Sequence, residues 1–350
     1  ASVPNTVTIE KQRSPHDGIA VPLRRPAALA STHHRNGSVM RIAVTGGAGF
    51  IGSHVVDAYV AAGHDVLTID SLWEHGGGRR ENVPAGVELV QMDIRDETIG
   101  RVFAEFAPEI VSHHAAQHSV AISARDPVYD AQVNVIGLIN VLEAAQRSGA
   151  RKVIFASSGA TFGTPERLPI TDATPQRPTS PYGITKMVAE HYLRFYRASR
   201  ELDFTALRYG NVYGPRQDPN GEAGVISIFI GRFLARLPVR IDWDGEQTRD
   251  YVYAADVARA NLAALEHGSG ECYVIGTGVR TSVNEIYRQL VEITGFEAPV
   301  ERAPARAGDA RDAQFDATRA RVELGWLPQT DLTAGIRATY DYFARWTALQ

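Results

Sequence analysis

Residues 45–52, Thr45-Gly46-Gly47-Ala48-Gly49-Phe50-Ile51-Gly52, follow the apolar run Arg41-Ile42-Ala43-Val44 and lead into a helical pattern over residues 53–62. A turn without side chains lets the backbone approach a pyrophosphate, whose charge then rests on the N-terminus of the next helix. Gly46, Gly49 and Gly52 hold those places, with Phe50 and Ile51 beside them at the helix entry. The spacing is Gly-x-x-Gly-x-x-Gly rather than Gly-x-Gly-x-x-Gly, and a bare glycine cluster is more often only a turn. The strand before it, the helix after it and an acidic residue further on supply the context that a dinucleotide site demands.

That acid is Asp70, closing a second strand over residues 65–70, where a carboxylate accepts hydrogen bonds from ribose hydroxyls and repels a 2′-phosphate. NAD is therefore expected over NADP, with Arg79 and Arg80 close enough to keep the alternative open. Asp93-Ile94 follows a third strand at 87–92, where Asp93 can meet the adenine amino group or cap a helix. Further strands are expected at 110–113 and 153–157, with helical patterning over 130–148 between them. Strands alternating with helices predict an α/β fold, a doubly wound parallel Rossmann sheet.

Beyond Tyr209 the spacing loosens, and Gly214-Pro215, Asp218-Pro219-Asn220-Gly221 and Pro238 mark loops of a smaller α/β substrate-binding lobe. The expected division is an NAD-binding domain at 40–210 and a substrate-binding lobe mainly at 211–350. Segments near 251–278, including Tyr273-Val274-Ile275-Gly276, return to the first domain. Residues 1–39, interrupted by Pro4, Pro15, Pro22 and Pro26, read as a flexible leader: a native extension, a targeting peptide or expression-derived residues.

Composition narrows the function. Thirty-six Lys and Arg against 40 Asp and Glu give a net charge of −4 with no basic run, which speaks against nucleic acid as a partner. The single cysteine, Cys272, cannot close an intrachain disulfide and lies in no Cys or His cluster, so no thiol metal site and a cytoplasmic location are expected. No apolar run approaches the length of a membrane span.

Downstream, Ser180-Pro181-Tyr182-Gly183-Ile184-Thr185-Lys186 places Tyr182 and Lys186 four apart, on one face of a helix. An ammonium beside a phenol favours its ionised form, which suits proton transfer next to a bound nicotinamide. The plainer reading is a surface helix with a chance Tyr/Lys pair.

Taken together, these residues resemble the extended branch of the short-chain dehydrogenase/reductase superfamily, and within it the NAD-dependent epimerase/dehydratase family, on the side of the UDP-glucose 4-epimerases. The likeness spans residues 40 to about 343. Its markers are the 45–54 turn, His113-His114-Ala115-Ala116-Gln117, Ser157-Ser158 before Phe162-Gly163, and Tyr182-x-x-x-Lys186. Arg208-Tyr209-Gly210-Asn211-Val212-Tyr213-Gly214-Pro215, Gln247-Thr248-Arg249-Asp250-Tyr251 and Arg306-Ala307-Gly308-Asp309 complete the set. The resemblance implies Tyr182 as acid/base, Lys186 on the nicotinamide ribose and Ser158 at the sugar hydroxyl. It adds Ala115, Ala116 and Tyr209 to the cofactor site, and Asn211, Arg249 and Arg306 as holders of a nucleotide diphosphate, a task suited to the planar guanidinium fork. Alone, Ser158 reads as a cap and each arginine as a solvated surface residue.

Two departures stand out. Asp242 and Trp243 occupy a stretch where relatives carry an aromatic or apolar residue followed by glycine, and Phe162 replaces a common tyrosine. The reaction follows from Gly159 and Ala160, which stand where dehydrating relatives carry acids. Neither can move a proton, so simple C4 epimerisation through a 4-keto sugar is expected. The alternatives are epimerisation of UDP-glucuronate or a deoxysugar nucleotide, a dehydratase or reductase of the same superfamily, and a non-enzymatic NAD sensor. Ala313, at a position limiting bulk near the sugar C2, admits N-acetylated sugars or says nothing about substrate. A homodimer through helices at 128–147 and 182–200 is expected from the resemblance alone.

Overall fold

The protein folds around one twisted sheet, seen in a computed structural model that describes residues 38–73, 76–219, 224–305 and 310–348. Most of the expected leader, residues 1–37, and Arg306 lie outside the described residues. Strand β1 (Arg41–Thr45) is followed by helix α1 (Phe50–Ala61) and β2 (Asp65–Asp70), then β3 (Glu88–Gln91) and α2 (Ile99–Phe106). Next come β4 (Ile110–His113), α3 (Val120–Arg125), α4 (Pro127–Ala131), α5 (Leu138–Ser148), β5 (Lys152–Ser158), α6 (Pro181–Arg200) and β6 (Asp203–Tyr209). The remainder comprises β7 (Asn211–Tyr213), α7 (Val225–Leu234), β8 (Val239–Asp242), β9 (Thr248–Arg249), β10 (Tyr251–Tyr253), α8 (Ala254–Ala264) and β11 (Glu271–Ile275). It ends with β12 (Thr281–Ser282), α9 (Val283–Thr294), β13 (Val300–Ala303), α10 (Thr318–Glu323) and α11 (Leu332–Ala348).

The sheet order is β11-β6-β5-β4-β1-β2-β3, and every pair is parallel. The order reverses at β1, so a crevice opens beyond the carboxyl ends of β1 and β4, where open α/β sheets bind ligands. Thr45 lies in register with Ile69 and His113, which aligns the ends of three strands along that edge.

Side-chain alternation divides the core between the two faces. Ile42, Val44, Ile154 and Leu207 pack with Val55, Val56, Tyr59, Val257 and Ala260 of α1 and α8. Ala43, Val111, Val153, Phe155 and Phe204 pack with Phe103, Val141, Leu142, Leu193 and Tyr196 of α2, α5 and α6. Burial on both faces is why these strands read as unbroken apolar runs. A third cluster, with Phe229, Phe233, Ile241, Ile286, Leu290, Ile336 and Phe343, joins α7, β8, α9 and α11 away from the sheet.

Element bounds differ from expectation in two instructive places. Helix α1 begins at Phe50 rather than at 53, because Gly49, extended at φ −76° and ψ 179°, starts the helix from within the glycine turn. The expected helix over 130–148 begins earlier, at Pro127, capped by the Asp126 side chain, and contains a π-helical stretch at Gln132–Gly137. In the later half, β11 rejoins the main sheet beside β6, and the pairs β7/β10, β9/β12 and β8/β13 lie outside it.

Candidate active site

The glycine turn is a backbone constriction. Gly46 adopts φ +71°, and a Cβ there would sit 2.5 Å from the Ala115 nitrogen. A Cβ on Gly52 would come within 2.1 Å of the Gly46 carbonyl oxygen, so the turn and the first turn of α1 close on each other only without side chains. No side chain caps α1 and no acid stands in its first turn, which leaves amides of Phe50, Ile51 and Gly52 for an anion, while the Gly49 amide donates to the Gly46 carbonyl (3.2 Å). The donor set fits a dinucleotide pyrophosphate.

Asp70 accepts hydrogen bonds from the amides of Ala48 (3.0 Å) and Leu72 (2.9 Å). Burial raises its pKa, against those bonds. Arg79 stacks over Trp346 of α11 at 4.7 Å, which gives this cation a place of its own and bears on the 2′-phosphate alternative. Asp93 is engaged by Arg95 through both the backbone amide (2.8 Å) and the guanidinium (2.7 and 3.0 Å), an Asx turn rather than the N-cap of α2, which is Thr98. Its carboxyl is held below the usual range by Arg95. Ile94 turns its side chain into the core against Gly137, so its contribution to a ligand is main chain. Tyr209 likewise directs its ring to the α1/α8 layer, where its hydroxyl bonds Asn261 (2.8 Å). Ala115 and Ala116 follow β4 directly, with Ala115 against Gly46.

Helix α6 starts sharply: the Ser180 side chain accepts from the Gly183 amide (3.1 Å) and Pro181 stands in the first turn. This aims Tyr182 and Lys186 at the end of β5. Lys186 Nζ donates to the Ala156 carbonyl (2.8 Å) and lies 5.8 Å from the Tyr182 ring centre. Ser158 accepts from the Ala160 amide (3.1 Å) and lowers the pKa of the Tyr182 phenol, so it is both the cap of the plainer reading and a neighbour of the candidate acid/base.

The electrostatics differ from the sequence expectation. Burial pushes Tyr182 up to about 12, the Ser158 hydrogen bond lowers it, and Asp130 raises it further. Burial also brings Lys186 down to about 8, opposed by Asp130. Lys186 therefore does not by itself soften the phenol. Burial is the largest cause on both groups, while the ammonium donates to the Ala156 carbonyl.

Asp130 is a group the sequence reading missed. Fully buried, it accepts from Gln117 Nε2 (2.7 Å), Asn134 Nδ2 (3.0 Å) and Thr185 Oγ1 (2.9 Å), with Thr185 lying between Tyr182 and Lys186 on α6. The sequence around Asp130, with Gln132 and Asn134 beside it, reads as an ordinary polar helix face. Asp250 is the second such group: its carboxylate accepts from Thr277, Gly278 and Phe315, drawing three chain segments together. Phe315 then fills the space above Gly159, where a Cβ would meet its Cζ at 2.5 Å. Gly159 thus lacks room for a side chain as well as lacking an acid.

On the substrate side, the Asn211 amide donates to the carbonyl of Asp250 (2.9 Å), the neighbour of Arg249, so the two expected diphosphate holders come together. Arg249 is half-buried and its Nη1 donates to the carbonyl of Thr248 (2.9 Å). Trp243 takes a left-handed φ of +63° under the guanidinium of Arg311, 4.7 Å away. That conformation costs a non-glycine residue about 1 kcal/mol.

Known proteins resemble this chain over most of its length. The chain is 44% identical over 311 residues to a UDP-glucose 4-epimerase of Mycolicibacterium smegmatis, covering 87% of this chain and 98% of that protein. A crystal structure of UDP-glucose 4-epimerase from Thermotoga maritima with UDP-glucose matches at 44% identity and a TM-score of 0.83, covering 89% of this chain and 100% of the other. The UDP-glucose 4-epimerase of Thermus thermophilus in complex with NAD matches at 44% identity and a TM-score of 0.82, over 87% and 99% of the two chains. Because the Gly52 position tolerates no Cβ, Gly52→Ala is expected to lower bound NAD per subunit by roughly tenfold or more, read by cofactor release and absorbance. Full NAD content in that variant would contradict the close-approach reading. The sequence model of the NAD dependent epimerase/dehydratase family matches residues 42–276, and with these relatives it shows that the chain belongs to that family.

Proposed function

We propose that this chain interconverts nucleotide sugars at C4, of the UDP-glucose/UDP-galactose kind, through a transient 4-keto sugar and with NAD as its cofactor. The observation that carries this reading is the convergence of Tyr182, Lys186 and Ser158 at the sheet edge that holds the glycine turn, beside a Gly159 with no acid and no room for one. When bound, NAD supplies a reversible acceptor for the hydrogen at C4. Tyr182 takes the 4-hydroxyl proton and returns it, and Ser158 shares that proton at the oxygen. Lys186 adds its charge to the positive nicotinamide. The half-buried phenol needs both, since its protein surroundings raise its pKa. Asn211, Arg249 and Arg306 hold the diphosphate, which leaves the keto sugar free to present its other face.

Ala313 supports a wider substrate range. Its amide donates to the carbonyl of Thr248 (3.1 Å), beside Arg249, and its side chain is a single methyl. The homodimer is supported by exposed apolar side chains on helices packed together: Val120, Val128 and Ile136 on the α3–α5 stretch, Ile184 and Phe195 on α6.

Three outcomes test these readings. Tyr182→Phe lowers interconversion of UDP-galactose and UDP-glucose by about a hundredfold or more while NAD stays bound; unchanged turnover removes Tyr182 from the mechanism. The protein also epimerises UDP-N-acetylglucosamine, and activity on UDP-glucose with none on the acetamido sugar would contradict the role of Ala313. In sedimentation the protein runs as a dimer that Phe195→Glu dissociates, and a wild-type monomer would refute the four-helix contact.

A further inference from the structure

Glu190 sits two turns beyond Tyr182 on α6, about 12 Å along the helix and on the same side as Lys186. Its side chain is fully buried, as is nearly all of its partner Arg208. Oε1 accepts from Arg208 Nε (2.8 Å) and from Ser157 Oγ (2.8 Å), while Oε2 accepts from Arg208 Nη2 (2.7 Å) and Gln176 Nε2 (3.0 Å). Burial pushes this carboxyl up, but the hydrogen bonds and charge of Arg208, with Ser157 and Gln176, outweigh it and hold it below the usual range. Arg208 is fixed in turn by the ring of Phe162 (5.2 Å) and the Asp172 carbonyl (3.3 Å).

A buried ion pair is a costly way to join a helix to a sheet, and well-packed apolar residues commonly serve as well or better. What the charged cluster adds is direction: each bond fixes an angle as well as a distance. The tethered residues are telling. Ser157 immediately precedes Ser158 on β5, and Arg208 stands three residues before Asn211. Gln176 lies in the segment that leads into α6. One carboxylate therefore references the helix carrying Tyr182 and Lys186 to the strand carrying Ser158 and to the chain entering the diphosphate site.

We infer that Glu190, through Ser157 and Arg208, is a positioning residue that sets the rotation and depth of α6 so that Tyr182 meets Ser158 at the reacting oxygen. This rests on the proton-handling roles proposed above for Tyr182 and Ser158. It predicts that loosening the cluster slows the chemical step without weakening either ligand.

The test compares Ser157→Ala, which removes only the strand tether and leaves the Glu190–Arg208 pair intact, with Glu190→Gln and with Tyr182→Phe. For each, kcat per NAD-loaded subunit, KM for UDP-galactose, bound NAD and the thermal midpoint are measured. Ser157→Ala is expected to lower kcat about tenfold with KM within about twofold, full NAD and a midpoint close to wild type, as sub-ångström misplacement of a catalytic group would do. Glu190→Gln lowers kcat further in its folded, NAD-loaded fraction. Unchanged kcat per loaded subunit in Ser157→Ala overturns the inference, even where Glu190→Gln fails to fold. If Tyr182→Phe keeps full turnover, the acid/base reading itself fails, a result distinct from wild-type behaviour of Ser157→Ala beside an inactive Tyr182→Phe.

Discussion

Lys186 gives its ammonium to the main-chain oxygen of Ala156, and through that bond the helix bearing Tyr182 is seated on the strand bearing Ser158. The same seating buries Lys186 and leaves Tyr182 partly exposed at the crevice. Desolvation then acts in opposite directions on the pair: it penalises the phenolate and the ammonium alike, pushing Tyr182 up to about 12 and Lys186 down to about 8. A phenol so placed is a reluctant base until further positive charge arrives. On the proposed reading, proton transfer at Tyr182 is coupled to cofactor occupancy.

The sheet explains why these groups meet. Parallel strands bring Thr45, Asp70 and His113 to one edge, β5 runs on past Phe155, the partner of His113, to carry Ser158 beyond it, and the reversal of strand order at β1 opens the crevice there. The glycines make the crevice deep enough, since Gly46 and Gly52 lie where added carbons would meet backbone. Buried carboxylates then fix the moving parts. Asp130 ties α4 and the π-helical stretch to Thr185 on α6, Asp250 gathers the segments around Phe315, and Glu190 joins α6 to β5 and β6. Each is fully buried and each is saturated with donors, so leaving any of them unpaired would be expensive.

Much of this was legible in the residues. Strands β1, β2 and β4 fall where their apolar runs place them, because strands covered on both faces leave a strong and local signature. The pairing of Tyr182 with Lys186 on one helical face was visible from spacing alone. The start of α1 was not, because Gly49 replaces the usual polar cap with a turn built for a ligand. The π-helical stretch left no periodic trace, and the carboxylates Asp130, Asp250 and Glu190 look like ordinary surface charge until the fold brings their distant donors together. Tyr209 was expected at the cofactor, but its side chain answers to Asn261 on a helix some fifty residues away, a contact no local pattern encodes. The balance between burial and Lys186 at the phenol was likewise invisible, since helical spacing reports proximity and not solvent.

The most direct measurement is the pH titration of the Tyr182 phenol itself, followed as the ultraviolet difference between wild-type protein and Tyr182→Phe, once with NAD bound and once after its removal. The expected result is a phenol that stays protonated well past its ordinary value of 10.0 in the NAD-free protein and ionises at a distinctly lower pH when NAD is present. A phenol that titrates at the same pH in both states, or near 10.0 without NAD, would contradict burial as the force that holds the proton and the cofactor's charge as the force that releases it.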